Sequence, residues 1–452
     1  MWRAASLWLA ASLLACRKVA HTSTAEPYRG GGPKVTNLKH NAPADQWRAL
    51  ALCFAVTLAI FIPYVGYATQ IPAMMQDLGM TYTMVGTLAS ASALAGGIVV
   101  AFAGVLVDRW GAKNVTVLGL AINVVGQIAF SYAPTYETML LARLLQGAGI
   151  PLLFLGPYTL AMRWAESSGR LGIFMGTMLA TDGIGTVAAL YGYAIILQDY
   201  GWRNGSLIGA AILAFATIVA FAMLKEPPAY QQPSPVRAAT LGETLANYVG
   251  IVSHRNVIIA ALFLTGVWGT YSIAIYWVPT ILMEENGWTE QASGIVGSLY
   301  PLVGMICAVG FGLVSDRVGR RKPLILVSGI GMAASFVGAA FALWSHQYWL
   351  LATMLPISGL FAYGGLPLAY CLAADSVGVA LAATANGFIM GVGFIVGGVL
   401  YPLVLGYVKD ATSLYTVGFI AAAASLILLN VAAVSAARDA KPASTKTPHA
   451  IA

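Results

Sequence analysis

Polar residues cut this chain into long apolar runs, most of them apolar on every side rather than along one stripe. The runs fall at 49–70, 84–107, 114–132, 137–162, 171–195, 205–224, 257–281, 294–314, 323–343, 348–373, 380–405 and 413–436. A helix needs ~20 apolar residues to cross a bilayer. Hydrocarbon offers no water to a backbone N–H or C=O, so each run is expected as a helix, which satisfies those groups within itself. The strict alternation of a membrane barrel strand is absent. The pattern predicts an all-α integral membrane protein with twelve transmembrane helices.

Composition agrees. Of 452 residues, 59% are hydrophobic and 9% are charged, against ~25% charged in an ordinary soluble domain. So much apolar surface cannot be hidden in a globular core, and the lipid bilayer is the expected partner. The net charge of +7 would suit nucleic acid, but the basic residues are scattered through short loops, where charge sets topology. No nucleic-acid partner is expected. Cys16, Cys53, Cys307 and Cys371 have neither metal-ligand nor disulfide-framework spacing.

The basic residues also orient the spans. With both termini on the cytoplasmic side, Arg203 and Lys409 alone of the 24 Lys and Arg fall outside, and Arg143 alone lies within a span. Shifting the map by one helix inverts this asymmetry. The expected organisation is a cytoplasmic tail over 1–48, six helices over 49–224, a cytoplasmic linker over 225–256, six helices over 257–436 and a cytoplasmic tail over 437–452. In the first tail, the apolar patch Leu7–Ala15 before Cys16 resembles a leader. Its cleavage would place basic residues outside, against the charge pattern, so a misassigned start is preferred. In the linker, Leu241, Leu245, Tyr248, Val249 and Val252 recur at helical spacing, as in an amphipathic helix lying on the membrane surface.

The two halves are duplicates. At an offset of 208, Met75, Gly79, Thr81, Gly86, Ser90, Leu94, Gly96, Ile98, Gly104, Asp108, Arg109 and Gly111 meet identical residues. The polar loop is the telling part. It reads Gly104-x-x-x-Asp108-Arg109-x-Gly111-x-Lys113 and again Gly312-x-x-x-Asp316-Arg317-x-Gly319-Arg320-Arg321-Lys322. Glycine allows a tight turn and close helix approach, and an aspartate at a helix end can accept from free backbone N–H groups.

With these loops the chain resembles the major facilitator superfamily over residues 49–436. The resemblance implies two six-helix repeats, alternating access without enzymatic chemistry, and loops that latch the halves on the cytoplasmic side in one state. Arg143-Leu-Leu-Gln146-Gly147-Ala-Gly149 resembles the family's fourth-helix motif, in which the arginine is associated with proton coupling. An intramembrane charge costs at least ~2.5 kcal/mol and persists where it faces a cavity or partner. A structural arginine snorkelling to the near surface is the alternative. Asp182 is the other charge within the spans, as a proton carrier or a satisfied acceptor. Pairing with Arg143 is an option, although the helix map separates the two in depth. The fifth span lacks the glycine-proline pair of the family's antiporters.

Helices 1, 4, 7 and 10 line the cavity in the resembled family. Here they offer Tyr64 and Tyr67 on one face, Trp268, Tyr271 and Ser272 on another, Gln146 beside Arg143, and Tyr363 and Tyr370; Asn386 lies on span 11. Tyrosine and tryptophan join apolar contact to one hydrogen-bonding point, which suits small organic solutes; packing and interfacial belts are the alternative. Pro151, Pro157, Pro356 and Pro367 should bend or break spans 4 and 10, and Gly387, Gly391, Gly393, Gly397 and Gly398 form a face for close packing. No histidine or lysine falls inside a span, and no nucleotide-binding loop exists.

The expectation is a secondary transporter of a small solute, leaning to proton-linked uptake of a small organic anion. It would be a multi-pass monomer of a bacterial inner membrane without cofactor or metal, with protons as second partner. Export of drugs or neutral metabolites is the alternative. A non-transporting receptor or scaffold is the alternative of another class.

Overall fold

The computed structural model describes residues 43–166, 171–230, 250–251, 254–377 and 379–438. The leader-like patch and the amphipathic segment of the linker lie outside the described residues. Every regular element among them is helical, and twelve helices are long and apolar enough to cross a membrane. They are α1 (Ala44–Leu78), α2 (Tyr82–Trp110), α3 (Ala112–Ser131), α4 (Tyr136–Glu166), α5 (Ile173–Ile196), α6 (Gln198–Met223), α7 (Arg255–Asn286), α8 (Glu290–Val318), α9 (Lys322–Trp344), α10 (Tyr348–Val377), α11 (Thr384–Thr412) and α12 (Tyr415–Ser435).

The repeated residues are the ones that shape this scaffold. Thr81 caps α2 by accepting from the Met84 amide, and Thr289 caps α8 from Ala292, both at 3.3 Å. Gly79 and Gly287 end the preceding helices at φ 61° and 63°, where a side chain would be strained. Gly86 and Gly294 bring helices of opposite halves together: a Cβ would lie 2.3 Å from the Pro402 carbonyl oxygen of α11 and 2.2 Å from that of Leu190 of α5, respectively. Within each half, Gly96 faces the Gly147 carbonyl and Gly304 that of Gly359. Small residues are what let helix backbones approach so closely in lipid.

The helices run longer than their apolar cores. α1 continues to Leu78 rather than ending at 70, α6 begins at Gln198 rather than 205, and α11 reaches Thr412. Arg203 and Lys409 therefore sit in terminal parts of helices, not in loops, and the expected absence of lysine from the spans fails at Lys409 and at Lys322, which opens α9. The reason is pairing. Lys409 donates to Glu285 at 2.8 Å and Arg203 to Asp77 at 3.1 Å, so a neutralised charge is tolerated at a helix end.

The prolines do not break α4 or α10, which are continuous through all four. Irregular turns fall elsewhere: a tight turn at Tyr67–Gln70 in α1, and wide turns at Ala188–Gly192, Ile273–Trp277, Gly393–Gly397 and Ile427–Ala432 in α5, α7, α11 and α12. Wide turns of this kind insert a residue into the helical ladder.

Away from the duplicated loops, the halves close on each other. Asp410 of α11 accepts from the backbone N–H of Tyr82 at 3.1 Å and of Thr83 at 2.6 Å, capping α2 from across the interface. Tyr82 Oη donates to Glu284 of α7 at 3.1 Å. At the opposite seam, Gln198 at the start of α6 meets Gln291 of α8, with Nε2 of Gln291 2.6 Å from Oε1 of Gln198. Toward the loop end, Arg109 and Arg317 are exposed, and a Cβ at Gly104 or Gly312 would meet nothing within 4 Å.

Candidate functional site

Arg143 is 1% exposed, about two turns into α4, and among the described residues no carboxylate pairs with it. Its Nη1 donates to Oε1 of Gln146 at 2.7 Å and its Nη2 to Oγ of Ser92 at 3.2 Å. Its guanidinium lies 4.1 Å from the centre of the Tyr67 ring and 5.2 Å from that of Tyr64, a distance at which aromatic faces stabilise a cation. Nε is buried without a partner, and so is the Tyr67 hydroxyl. Gln146 passes the chain on: its Nε2 donates to Oε1 of Gln127 at 2.6 Å, and Gln127 Nε2 to the Ser206 carbonyl at 3.3 Å.

The fourth-helix motif becomes readable from this geometry. Arg143 and Gln146 carry the polar network. A Cβ on Gly147 would sit 2.3 Å from the Ser92 carbonyl oxygen, so the missing side chain is what brings α2, and Ser92 Oγ, within reach of Arg143. Gly149 admits the Asn123 amide in the same way, and Gly126 of α3 leaves room for the Gln146 side chain.

The expected second charge, Asp182 of α5, does not pair with Arg143. Its carboxylate accepts from the Tyr363 hydroxyl of α10, a bond that joins the two halves. Gly185 lies against the Phe61 ring of α1, and Gly183 against Leu302 and Met305 of α8, which lets α5 come near enough. Tyr363 packs on Gly304, where any Cβ would overlap its ring. An aromatic row continues from it: Tyr363 to Tyr300 at 6.3 Å, Tyr300 to Tyr271 at 6.2 Å, Tyr271 to Trp268 at 5.5 Å and Trp268 to Phe394 at 4.1 Å between ring centres. Tyr276 packs against the Tyr67 ring, 5.3 Å from it between ring centres. Trp268 Nε1 and Asn386 Oδ1 are buried without partners.

Of the residues expected at the site, Arg143, Gln146, Tyr64 and Tyr67 thus form one cluster, and Asp182, Tyr363, Tyr271 and Trp268 another. Sequence reasoning missed Ser92, Gln127, Tyr276 and Tyr300. Gln127, an amide inside an apolar run, was the findable one. Ser92 carries no signal beyond being a serine.

The described parts of the signature loops bond within their own halves. The Lys113 amide donates to Glu226 at 3.0 Å, and Arg163 reaches the other oxygen of the same carboxylate at 3.0 Å. Arg321 donates to Ser315 at 2.9 Å and lies 3.7 Å from Asp375. Arg320 is exposed; Gly111 and Gly319 both take positive φ, 81° and 68°. The side chains of Asp108 and Asp316 lie outside the described residues.

Residues 50–289 and 266–450 match the family model of the Major Facilitator Superfamily. The chain is 25% identical over 378 residues to the 4-hydroxybenzoate transporter PcaK of Pseudomonas aeruginosa, covering 77% of this chain and 83% of that one. It is also 25% identical over 267 residues to the citrate-proton symporter of Salmonella typhi, covering 55% and 58%. Among solved structures, the nucleoside transporter NupG superposes with a TM-score of 0.69 at 16% identity, covering 86% of this chain and 98% of that one.

Proposed function

The chain belongs to the Major Facilitator Superfamily of secondary transporters, and from that membership we propose that it takes up a small organic anion together with protons. The observation that carries this reading is Arg143, a buried guanidinium whose partners among the described residues are neutral groups. Removing a cation from water costs several kcal/mol unless an anion compensates. Here the compensating charge is the carboxylate of the solute. It docks on the open Nε edge, where a planar fork of donors matches a carboxylate, with the Tyr67 hydroxyl beside it. The names of the relatives support the class: 4-hydroxybenzoate is an organic anion, and citrate is moved with protons.

Asp182 carries the coupled proton. As a carboxylate it binds Tyr363 across the halves; once protonated, it loses the charge that strengthens that bond. Gln146, Tyr64 and Tyr67 orient Arg143, while Trp268, Tyr271, Tyr363 and Asn386 line the path of the solute. The units 49–224 and 257–436 rock against each other, and the state described here faces the cytoplasm. In the opposite state, the loops around Asp108, Arg109 and Lys113 and around Asp316, Arg317 and Arg321 latch the cytoplasmic side. The protein works as a monomer in a bacterial inner membrane, with both termini cytoplasmic.

The test is uptake of labelled benzoate into proteoliposomes with the interior alkaline. Arg143→Gln is expected to lower uptake at least a hundredfold. Asp182→Asn should keep exchange across the membrane but lose accumulation. Full uptake by Arg143→Gln would refute the anion seat, and pH-driven accumulation by Asp182→Asn would refute the proton carrier.

A further inference from the structure

We infer that the site accepts one negative charge and no more: its solutes are monocarboxylates with a neutral, apolar or aromatic body, and dicarboxylates and tricarboxylates of similar size are refused. This rests on the anion seat proposed at Arg143 and adds to it the charge of the solute.

The argument begins with a count of cations. Among the described Lys and Arg, the buried ones are Arg143 and Lys409. Lys409 lies at the closed end, where its ammonium is 2.8 Å from Glu285 and 3.9 Å from the centre of the Tyr415 ring. Arg163 and Arg203 are consumed at helix ends by Glu226 and Asp77. Among the described residues, Arg143 is thus the buried cation left to balance a solute.

The walls offer no second positive pole. Tyr64, Tyr67, Tyr271, Tyr276, Trp268 and Phe394 are neutral, and the other charged group of the site, Asp182, has the same sign as the solute. A second carboxylate would therefore sit in a region of low polarity either unpaired or facing Asp182, and both are unfavourable.

The amide groups deepen this selectivity. An unconstrained glutamine could turn its NH₂ toward a second carboxylate. Gln146 is not free to do so. One N–H of its Nε2 is fixed on Gln127 Oε1, which sets the orientation of the amide, and Gln127 is itself oriented by donating to the Ser206 carbonyl. The network thus presents an acceptor to Arg143 and, toward a solute, at most the second N–H of the Gln146 amide, a neutral donor and not a positive charge. The other donors still open, Tyr67 Oη and Trp268 Nε1, are neutral groups suited to a hydroxyl or carbonyl substituent and not to another full charge.

The experiment compares molecules of one skeleton that differ in charge. Terephthalate, its monomethyl ester and its dimethyl ester carry two, one and no negative charges. Each is added to the purified full-length protein at pH 7.5, together with benzoate as reference, and stabilisation is read from the shift in melting temperature against concentration. Benzoate and the monoester should stabilise at concentrations at least about tenfold lower than the diacid, a gap in keeping with an unpaired buried charge. Stabilisation by the diacid within threefold of the monoester overturns the single-charge inference and leaves the anion seat standing. Stabilisation by the neutral diester equal to that by the monoester overturns the anion seat itself, as does failure of benzoate and monoester to act at all.

Discussion

The first six helices and the last six are copies in sequence, yet they have divided the work. Where the copies agree, they build: Thr81 and Thr289 cap equivalent helices, and Gly86 and Gly294 close equivalent seams. Where they differ, chemistry appears. Arg143 falls at the offset of 208 on Leu351, Asp182 on Met390 and Ser92 on Tyr300. The first half supplies Arg143 and Asp182, the two charges of the candidate site, and the hydrogen bonds that hold the cation. The second supplies an aromatic row, with Tyr300 standing where the first half has the serine that binds Arg143. Residues shared by the repeats therefore mark the scaffold, and residues present in one copy mark the site.

Exchanging chemistry between the copies should have the largest effect. Arg143→Gln is expected to cost at least a hundredfold in anion uptake, whereas Leu351→Met, at the matching place, should stay within twofold in the same assay. Equal losses at both would dissolve the division of labour. Tyr363→Phe should cost about 1.5–3 kcal/mol, the usual loss of a hydrogen bond to a charged group, seen as weaker pH dependence of uptake with exchange retained. The scaffold pair should behave in the opposite way. Gly86→Val and Gly294→Val each force a side chain into a carbonyl oxygen and should each destabilise by about 1–3 kcal/mol, the usual penalty of overpacking. Thermal melts of the two variants in detergent should match, and a loss at one alone would break the symmetry of the seams.

The closed end is where the seams themselves differ. One is capped by the Asp410 carboxylate and the other is joined by neutral Gln198 and Gln291. Asp410→Asn should weaken the cap by about 1 kcal/mol. That change should speed labelling of a cysteine placed at Ser272, which is 5% exposed in this state, by several-fold with an impermeant maleimide added from that side. Gln198→Ala should change the rate less, and the reverse order would show that the neutral seam is the true closure.

The transmembrane helices were legible because an apolar run declares its solvent whatever it packs against. Their ends were less so. Lys409 and Arg203 looked like loop residues because the charges that neutralise them, Glu285 and Asp77, are distant in the chain. The prolines of α4 and α10 misled for a related reason: in a packed membrane helix, neighbouring groups can absorb the missing hydrogen bond, and the turns that deviate lie on other helices. At the site, Arg143 and Asp182 stood out as charges in an apolar setting, Gln146 as a neighbour one turn away, and Tyr64, Tyr67 and Tyr363 as aromatic candidates. That Tyr363 bonds Asp182, and that Ser92 and Gln127 belong to the network, was not legible.

Hydropathy, local caps and self-similarity are properties of a line of residues. They determined that this chain lives in lipid, how many times it crosses, and that it is built twice. Only the tertiary structure decided that Arg143 meets Ser92, 51 residues away, and that Asp182 meets Tyr363, 181 residues away. Such pairs depend on how closely helix backbones approach, and that is set by glycines on several helices at once, which no local pattern reports.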